Sequence, residues 1–244
     1  MPELPSVLIL LMTITFFAAF EQTITGFGFS LIVMPLATLL FGLKTAAPLI
    51  ALTGLTLYTI NLIRNWQAIN SGEALRLGIA AIFGVPVGVW GLSNLNESMI
   101  KLALGIILIG FAIYSALNVR WSMIISSRWA WLVGFLTGCL GGAYNTPGPP
   151  LIIYGSLREW QRVEFRGVLQ ALFLTTGILT TLSHWFARNL TPNVLTLYVY
   201  AAPALILGLI AGAFADRFIN HRAFRIIVIA MVFVLGVSMV LGIR

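Results

Sequence analysis

The chain has 244 residues, 59% of them hydrophobic and 9% charged, with a mean hydropathy of +1.00. Soluble domains carry about 25% charged residues, so this composition describes a polytopic membrane protein and excludes a large-cored soluble enzyme. The net charge of +7 does not point to nucleic acid, because the basic residues fall in short gaps between apolar runs, where membrane topology explains them.

The long apolar runs predict α-helical spans, and the period-two alternation of a β-barrel is absent. Cys139 is the only cysteine, which rules out an intramolecular disulfide and a cysteine-based metal site; it reads as a small packing residue. Met1-Pro2-Glu3 has no basic segment, so the first run is not expected to be a cleaved signal peptide. No cofactor and no metal are expected.

Taken in order, the first run is Leu4–Phe20. It meets a polar, glycine-bearing break, Glu21 to Ser30, and resumes as Leu31–Phe41. Each of these runs is at or below the ~17 residues a span needs. Ala46–Ile63, Leu75–Leu92 and Met99–Leu117 follow as full spans. In the second half, Trp129–Leu140 and Leu151–Leu157 flank a second break. There, Gly141 to Pro150 holds three glycines and three prolines within ten residues. No helix runs through such a segment, because proline lacks an amide hydrogen and clashes with the preceding turn. Phe165–Phe186, Val194–Phe214 and Phe224–Ile243 complete the chain.

Sliding one half over the other by about 120 residues superposes the breaks. Gly28 falls on Gly148, and Leu31-Ile32 on Leu151-Ile152; with a small gap, Gly84/Gly88 fall on Gly208/Gly212 and Lys101 on Arg225. The expected architecture is an all-α polytopic membrane protein of two repeats, residues 1–119 and 120–244. Each repeat has a short re-entrant helical hairpin and three transmembrane helices. An odd number of crossings per repeat makes the repeats inverted. Alternating the sides places Arg64, Arg76, Arg120, Arg128, Arg158, Arg162, Arg166, Arg217, Arg222 and Arg225 together, against Lys44, Lys101, Arg188 and Arg244. The richer side is expected to be cytoplasmic, with both termini periplasmic in a bacterial inner membrane.

Two opposed broken hairpins point to a substrate site near the midplane, because non-helical backbone at membrane depth survives where it lines a cavity. The helix starts at Phe29 and Leu151 would offer unsatisfied N–H donors and partial positive charge to an anion. The expected binding residues are Gln22, Thr23, Thr25, Gly26, Phe27, Gly28 and Ser30 in the first break. Tyr144, Asn145, Thr146, Pro147 and Gly148 are their counterparts in the second, and Gln170 lies mid-span between apolar neighbours. Neither tip contains Lys or Arg, so an anion is expected to be held without a salt bridge.

Glu21 is an acidic residue at membrane depth, a costly placement that marks it for proton coupling or for cation exclusion at an outer mouth. His184, beside Trp185 and Arg188, reads as an interfacial belt residue or a proton relay. The Arg158–Arg166 loop reads as a solvated segment whose charges set topology. The Gly84/Gly88 and Gly208/Gly212 pairs read as packing, within the chain or in a homodimer. Catalysis finds no support, since no metalloprotease, nucleophile-elbow or P-loop motif is present.

The Thr25-Gly26-Phe27-Gly28-Phe29-Ser30-Leu31 break with Pro35, and the Gly141-Gly142 to Pro147-Gly148-Pro149-Pro150 break with the Arg158–Arg166 loop, together resemble the sulfite exporter TauE/SafE family. That family is also called the toluene-sulfonate uptake permease family. The resemblance covers essentially the whole chain. It implies a secondary transporter of sulfite or a sulfur-containing organic anion in the bacterial inner membrane, working by alternating access, with an anion or small-solute channel as the alternative. Tyr144-Asn145-Thr146 departs from the glycine-rich pattern of many relatives at this point. The direction of transport, the coupling ion and the oligomeric state are left open.

Overall fold

The computed structural model describes residues 4–65, 70–117, 125–218 and 221–242. The expected positions Met1, Arg120 and Arg244 lie outside these residues. The described chain is all-helical, with ten α-helices: α1 (Leu4–Thr25), α2 (Phe29–Phe41), α3 (Leu43–Asn65), α4 (Ser71–Asn94), α5 (Glu97–Leu117), α6 (Ala130–Tyr144), α7 (Gly148–Leu157), α8 (Arg162–Phe186), α9 (Pro192–Ala215) and α10 (His221–Leu241). Among them α1, α3, α4, α5, α8 and α9 are long and apolar enough to cross a membrane.

The helix starts follow local chemistry. Asn70 Oδ1 accepts from the Glu73 amide at α4, and Thr191 Oγ1 accepts from the Val194 amide at α9, where Pro192 occupies the first turn. One element departs from expectation. The polar cluster beginning at Glu21 does not end the first helix, which continues to Thr25 for 22 residues. Thr23 Oγ1 donates to the Ala19 carbonyl and Thr25 Oγ1 to the Glu21 carbonyl. These hydroxyls are satisfied inside the helix, whereas leaving it early would orphan backbone groups away from water. The first break therefore shrinks to Gly26–Gly28, and α1 is span-length while α2 has 13 residues. In the second half both partners are short, 15 residues in α6 and 10 in α7.

Glycine fixes the closest helix crossings. A Cβ added at Gly84 would overlap the Phe135 carbonyl oxygen, one at Gly88 that of Cys139, and one at Gly138 that of Ala81. The α4 and α6 backbones therefore touch along a parallel crossing, an approach any larger residue would prevent. α1 and α9 repeat the device: Gly208 meets Phe16 and Gly212 meets Phe20, again in parallel. Both glycine pairs are thus used within the chain. α5 crosses α10 through Gly105 and Gly236, and α3 crosses α8 where Tyr58 meets Phe173 and Gly177. Large apolar side chains face outward on α4 (Phe83, Trp90), α5 (Met99, Ile106) and α9 (Val199, Phe214). A surface so apolar belongs against lipid.

Candidate functional site

The first break is a braced turn. Gly26 and Gly28 hold φ of +90° and +120°, conformations that favour glycine. Gln22, on the last turns of α1, spans the gap. Its Oε1 accepts from the Phe29 amide at 3.0 Å, and its Nε2 donates to the Gly26 carbonyl at 3.2 Å. Gln170 of α8 donates to the same carbonyl at 2.8 Å. Ser30 and Tyr58 of α3 share a hydroxyl hydrogen bond of 2.9 Å. Phe27 packs edge-on against Phe111 of α5.

Glu21 lies inside this turn. Thr25 Oγ1 shares its one proton among the Glu21 Oε1 at 2.9 Å, the Glu21 carbonyl at 3.1 Å and the Phe27 carbonyl at 2.5 Å, and a Cβ at Gly28 would overlap the carboxyl group. Glu21 is 2% exposed, and its Oε2 has no hydrogen-bond partner. The carboxylate therefore rests against the residue that begins α2.

Neither tip contains Lys or Arg in its own sequence, but packing sets one basic residue against the first break. Arg166 of α8 donates through Nη2 to the Ile24 carbonyl, and a Cβ at Gly26 would sit 3.1 Å from its Cγ. The same guanidinium spans both carboxylate oxygens of Asp216, at the end of α9, with two contacts of 3.2 Å. No basic residue is local to the tip in sequence; tertiary packing brings one from 140 positions away.

The second break is neutral. Asn145 adopts the left-handed conformation, φ 54°, and caps α6. Its Nδ2 donates to the Ala47 carbonyl of α3 at 2.9 Å. Thr146 Oγ1 is buried with no hydrogen-bond partner. Pro147 precedes Gly148, which opens α7 with Pro149 and Pro150 in its first turn. Tyr144 is buried at the end of α6. On α8, Thr180 Oγ1 reaches the Gly141 carbonyl at 3.5 Å, and Thr176 lies against Gly141.

α8 connects the two. Gln170, Phe173, Thr176, Thr180 and His184 form a buried stripe, with Arg166 at its near end. The first break touches this stripe at 166 and 170, the second at 176 and 180. Ten residues of helix separate the contacts by roughly 15 Å. Between them stands the Tyr58–Phe173 aromatic pair, with ring centroids 5.2 Å apart. Tyr58 bonds Ser30 on one side, and Phe173 lies against Gly148 on the other. Gln170 Oε1 and His184 Nε2 are buried without hydrogen-bond partners along the same stripe. His184 is fully buried, its Nδ1 3.1 Å from Asn189 Nδ2, while the adjacent Trp185 is 68% exposed. His184 is therefore an interior residue and not a belt residue.

Thr23 is occupied by its own helix and contributes no side-chain donor to the turn. Arg166, Tyr58 and Phe173 were not legible as site residues, although Arg166 precedes Gln170 by one helical turn, which places both on one face of α8. The Arg158–Arg166 loop is also more than a solvated segment. Arg158 pairs with buried Glu73 at 2.8 Å and bonds the Ile125 carbonyl at 3.0 Å, Tyr154 Oη donates to Glu73 at 2.8 Å, and Glu164 accepts from Asn70 at 2.8 Å. These bonds fasten the end of α7 and the start of α8 to the start of α4.

Residues 11–239 match the family described as sulfite exporter TauE/SafE. The chain belongs to the sulfite exporter TauE/SafE family. It is 28% identical over 198 residues to the "Probable sulfite/organosulfonate exporter TauE" of Cupriavidus necator, across 78% of this chain and 77% of that protein. No solved structure matches the chain. Membership makes the protein a multi-pass membrane transporter and not an enzyme.

Proposed function

We propose that this TauE/SafE protein is a secondary transporter of a small anion, sulfite or an organosulfonate. It works by alternating access across the interface between two inverted halves. The observation that carries this reading is the crossed bracing of the breaks. The first break, in the first half, hangs on Gln170 and Arg166 of the second; the second break, in the second half, hangs on Ala47 of the first. Rocking one half against the other must therefore move both breaks together. The matched helix pairs support the inverted duplication: α1 lies parallel to α9 as α6 lies parallel to α4, and α3 meets α8 as α5 meets α10.

The sulfur-anion class rests on the family and on the name of the Cupriavidus relative. Neutral donors at Asn145 and Thr146 and the first turns of α2 and α7 suit an anion. In the proposed orientation both termini face the periplasm across a bacterial inner membrane. Export of an anion from a negative cytoplasm then gains about 2.3 kcal/mol per charge per 100 mV.

The test is thermal stabilisation of the purified protein by sulfite, thiosulfate, sulfoacetate, taurine and oxalate, since a ligand that binds the native state raises its stability by mass action. Sulfite or sulfoacetate should stabilise, and Asn145→Ala should remove the shift; an unchanged shift would detach the second break from the site. Counterflow exchange in liposomes separates a transporter from a channel, which gives strictly uncoupled, linear flux. Labelling of cysteines placed at Met1 and Arg244 from the periplasmic face tests the orientation.

A further inference from the structure

The first break already contains a carboxyl group. It comes from Glu21, lies against Gly28 and is within hydrogen-bond reach of Thr25. The first-turn amides of a helix point out of its N-terminus and have no intrahelical acceptor, and they are where a substrate anion would be held. In α2 the Phe29 amide is taken by Gln22, and the Glu21 carboxyl group lies against Gly28, the residue before it. Glu21 Oε2 is buried without a hydrogen-bond partner. A turn that buries a carboxylate oxygen and leaves it unpaired is one where a second negative charge meets direct repulsion.

The geometry points to Glu21 as a tethered competitor: an ionised Glu21 and a substrate anion exclude each other at the start of α2, so the anion binds only when Glu21 carries a proton. The inference rests on the anion-transporter reading and adds its coupling. One proton from solvent joins the Glu21 carboxyl as each anion arrives, and leaves when the anion leaves. The transported species is then an anion with one proton and no other co-reactant is required; a sulfonate monoanion moves without net charge, and the membrane-potential gain applies only to the one charge left on a dianion such as sulfite.

The neighbouring charges do not provide an alternative switch. Arg166 of α8 and Asp216 of α9 pair with each other at 3.2 Å. α2 carries no charged residue, and α10 adds none among the described side chains. The pair fixes one positive and one negative group beside the turn, leaving Glu21 as the group whose charge the turn does not balance.

The experiment measures binding of 2-hydroxyethanesulfonate, whose sulfonate stays ionised throughout, beside sulfite, between pH 5 and 9. For wild type the Kd should rise with pH, approaching tenfold per unit once Glu21 ionises. Glu21→Gln should bind with a flat profile at the tight, low-pH limit. Thr25→Val, which removes the hydroxyl beside the carboxyl group, should displace the rise along the pH axis; this variant keeps the proposal testable if Glu21→Gln does not fold. A flat wild-type profile, or a Glu21→Gln or Thr25→Val profile identical to wild type, overturns the proposal while leaving the transporter reading in place. Wild type that binds neither sulfite nor the sulfonate at any pH overturns both.

Discussion

The two breaks, which the proposed duplication would place at corresponding positions, are held in opposite ways. The first is a charged, cross-braced turn: Glu21 inside it, Arg166 against it, and two glutamines on one carbonyl. The second is neutral, capped by a single asparagine and followed by three prolines. Proline fixes φ and limits the unfolded chain, so the second break is shaped mostly by its own covalent structure. The first has no proline and two glycines, and it keeps its shape only because distant side chains hold it. Two glycine-bearing turns of similar outline thus differ in their groups, with a buried carboxyl in the first and a proline-shaped, uncharged backbone in the second.

That contrast can be broken most severely at the aligned glycines. Gly28→Ala places a side chain at φ +120° and into the Glu21 carboxylate. We expect a loss of about 3 kcal/mol or more, read as a collapse of thermal stability and of folded yield. Gly148→Ala, its counterpart, meets only Ile152 and Phe173 at ordinary contact distance, 3.5 and 3.7 Å, and should stay within ~0.5 kcal/mol of wild type. Comparable losses at both positions would show that the two turns are equivalent after all.

Next in size is Arg166→Ala. It removes the bond to the Ile24 carbonyl and the ion pair with the partly buried Asp216. A loss of about 2–3 kcal/mol is expected from the lost ion pair and bond, and adding Asp216→Asn should recover part of it. Failure of the second change to recover any stability would place the role of Arg166 elsewhere. Smaller again is Asn145→Ala, which loses the bond to Ala47 and forces alanine into the left-handed region, together about 1–2 kcal/mol. Asn145→Gly keeps the backbone permissive and should cost only the hydrogen bond, so the difference between the two variants measures the strain. The smallest effect is Tyr58→Phe. It deletes the hydroxyl shared with Ser30 while leaving the ring on Phe173, and about 1 kcal/mol is expected in melting measurements. Loss of transport without loss of stability would instead mark that hydroxyl as a substrate contact.

Much of the fold was legible in the residues. The apolar runs located the helices, and the Gly/Pro cluster at 141–150 located a real interruption. The glycine pairs at 84/88 and 208/212 marked helix crossings whose partners, α6 and α1, they did not name. The end of α1 was misplaced because a cluster of polar residues ends helices in water, whereas Thr23 and Thr25 here bond back into the helix. Of the two readings of His184, the belt residue leans on its neighbour Trp185, which faces outward while His184 faces in.

What the sequence determined by itself is the class of molecule and its breaks. These follow from composition, from the periodicity of apolar residues and from proline and glycine, whose effects reach only a turn or so along the chain. What only the tertiary structure decided is the chemistry of the first break. Arg166 and Gln170 arrive from α8, Asp216 from α9, and Glu21 folds back on Gly28. A buried carbonyl or carboxylate must be satisfied by whatever group packing brings within 3 Å, and in a chain of crossing helices that group comes from another helix, at a distance along the sequence that no local pattern encodes.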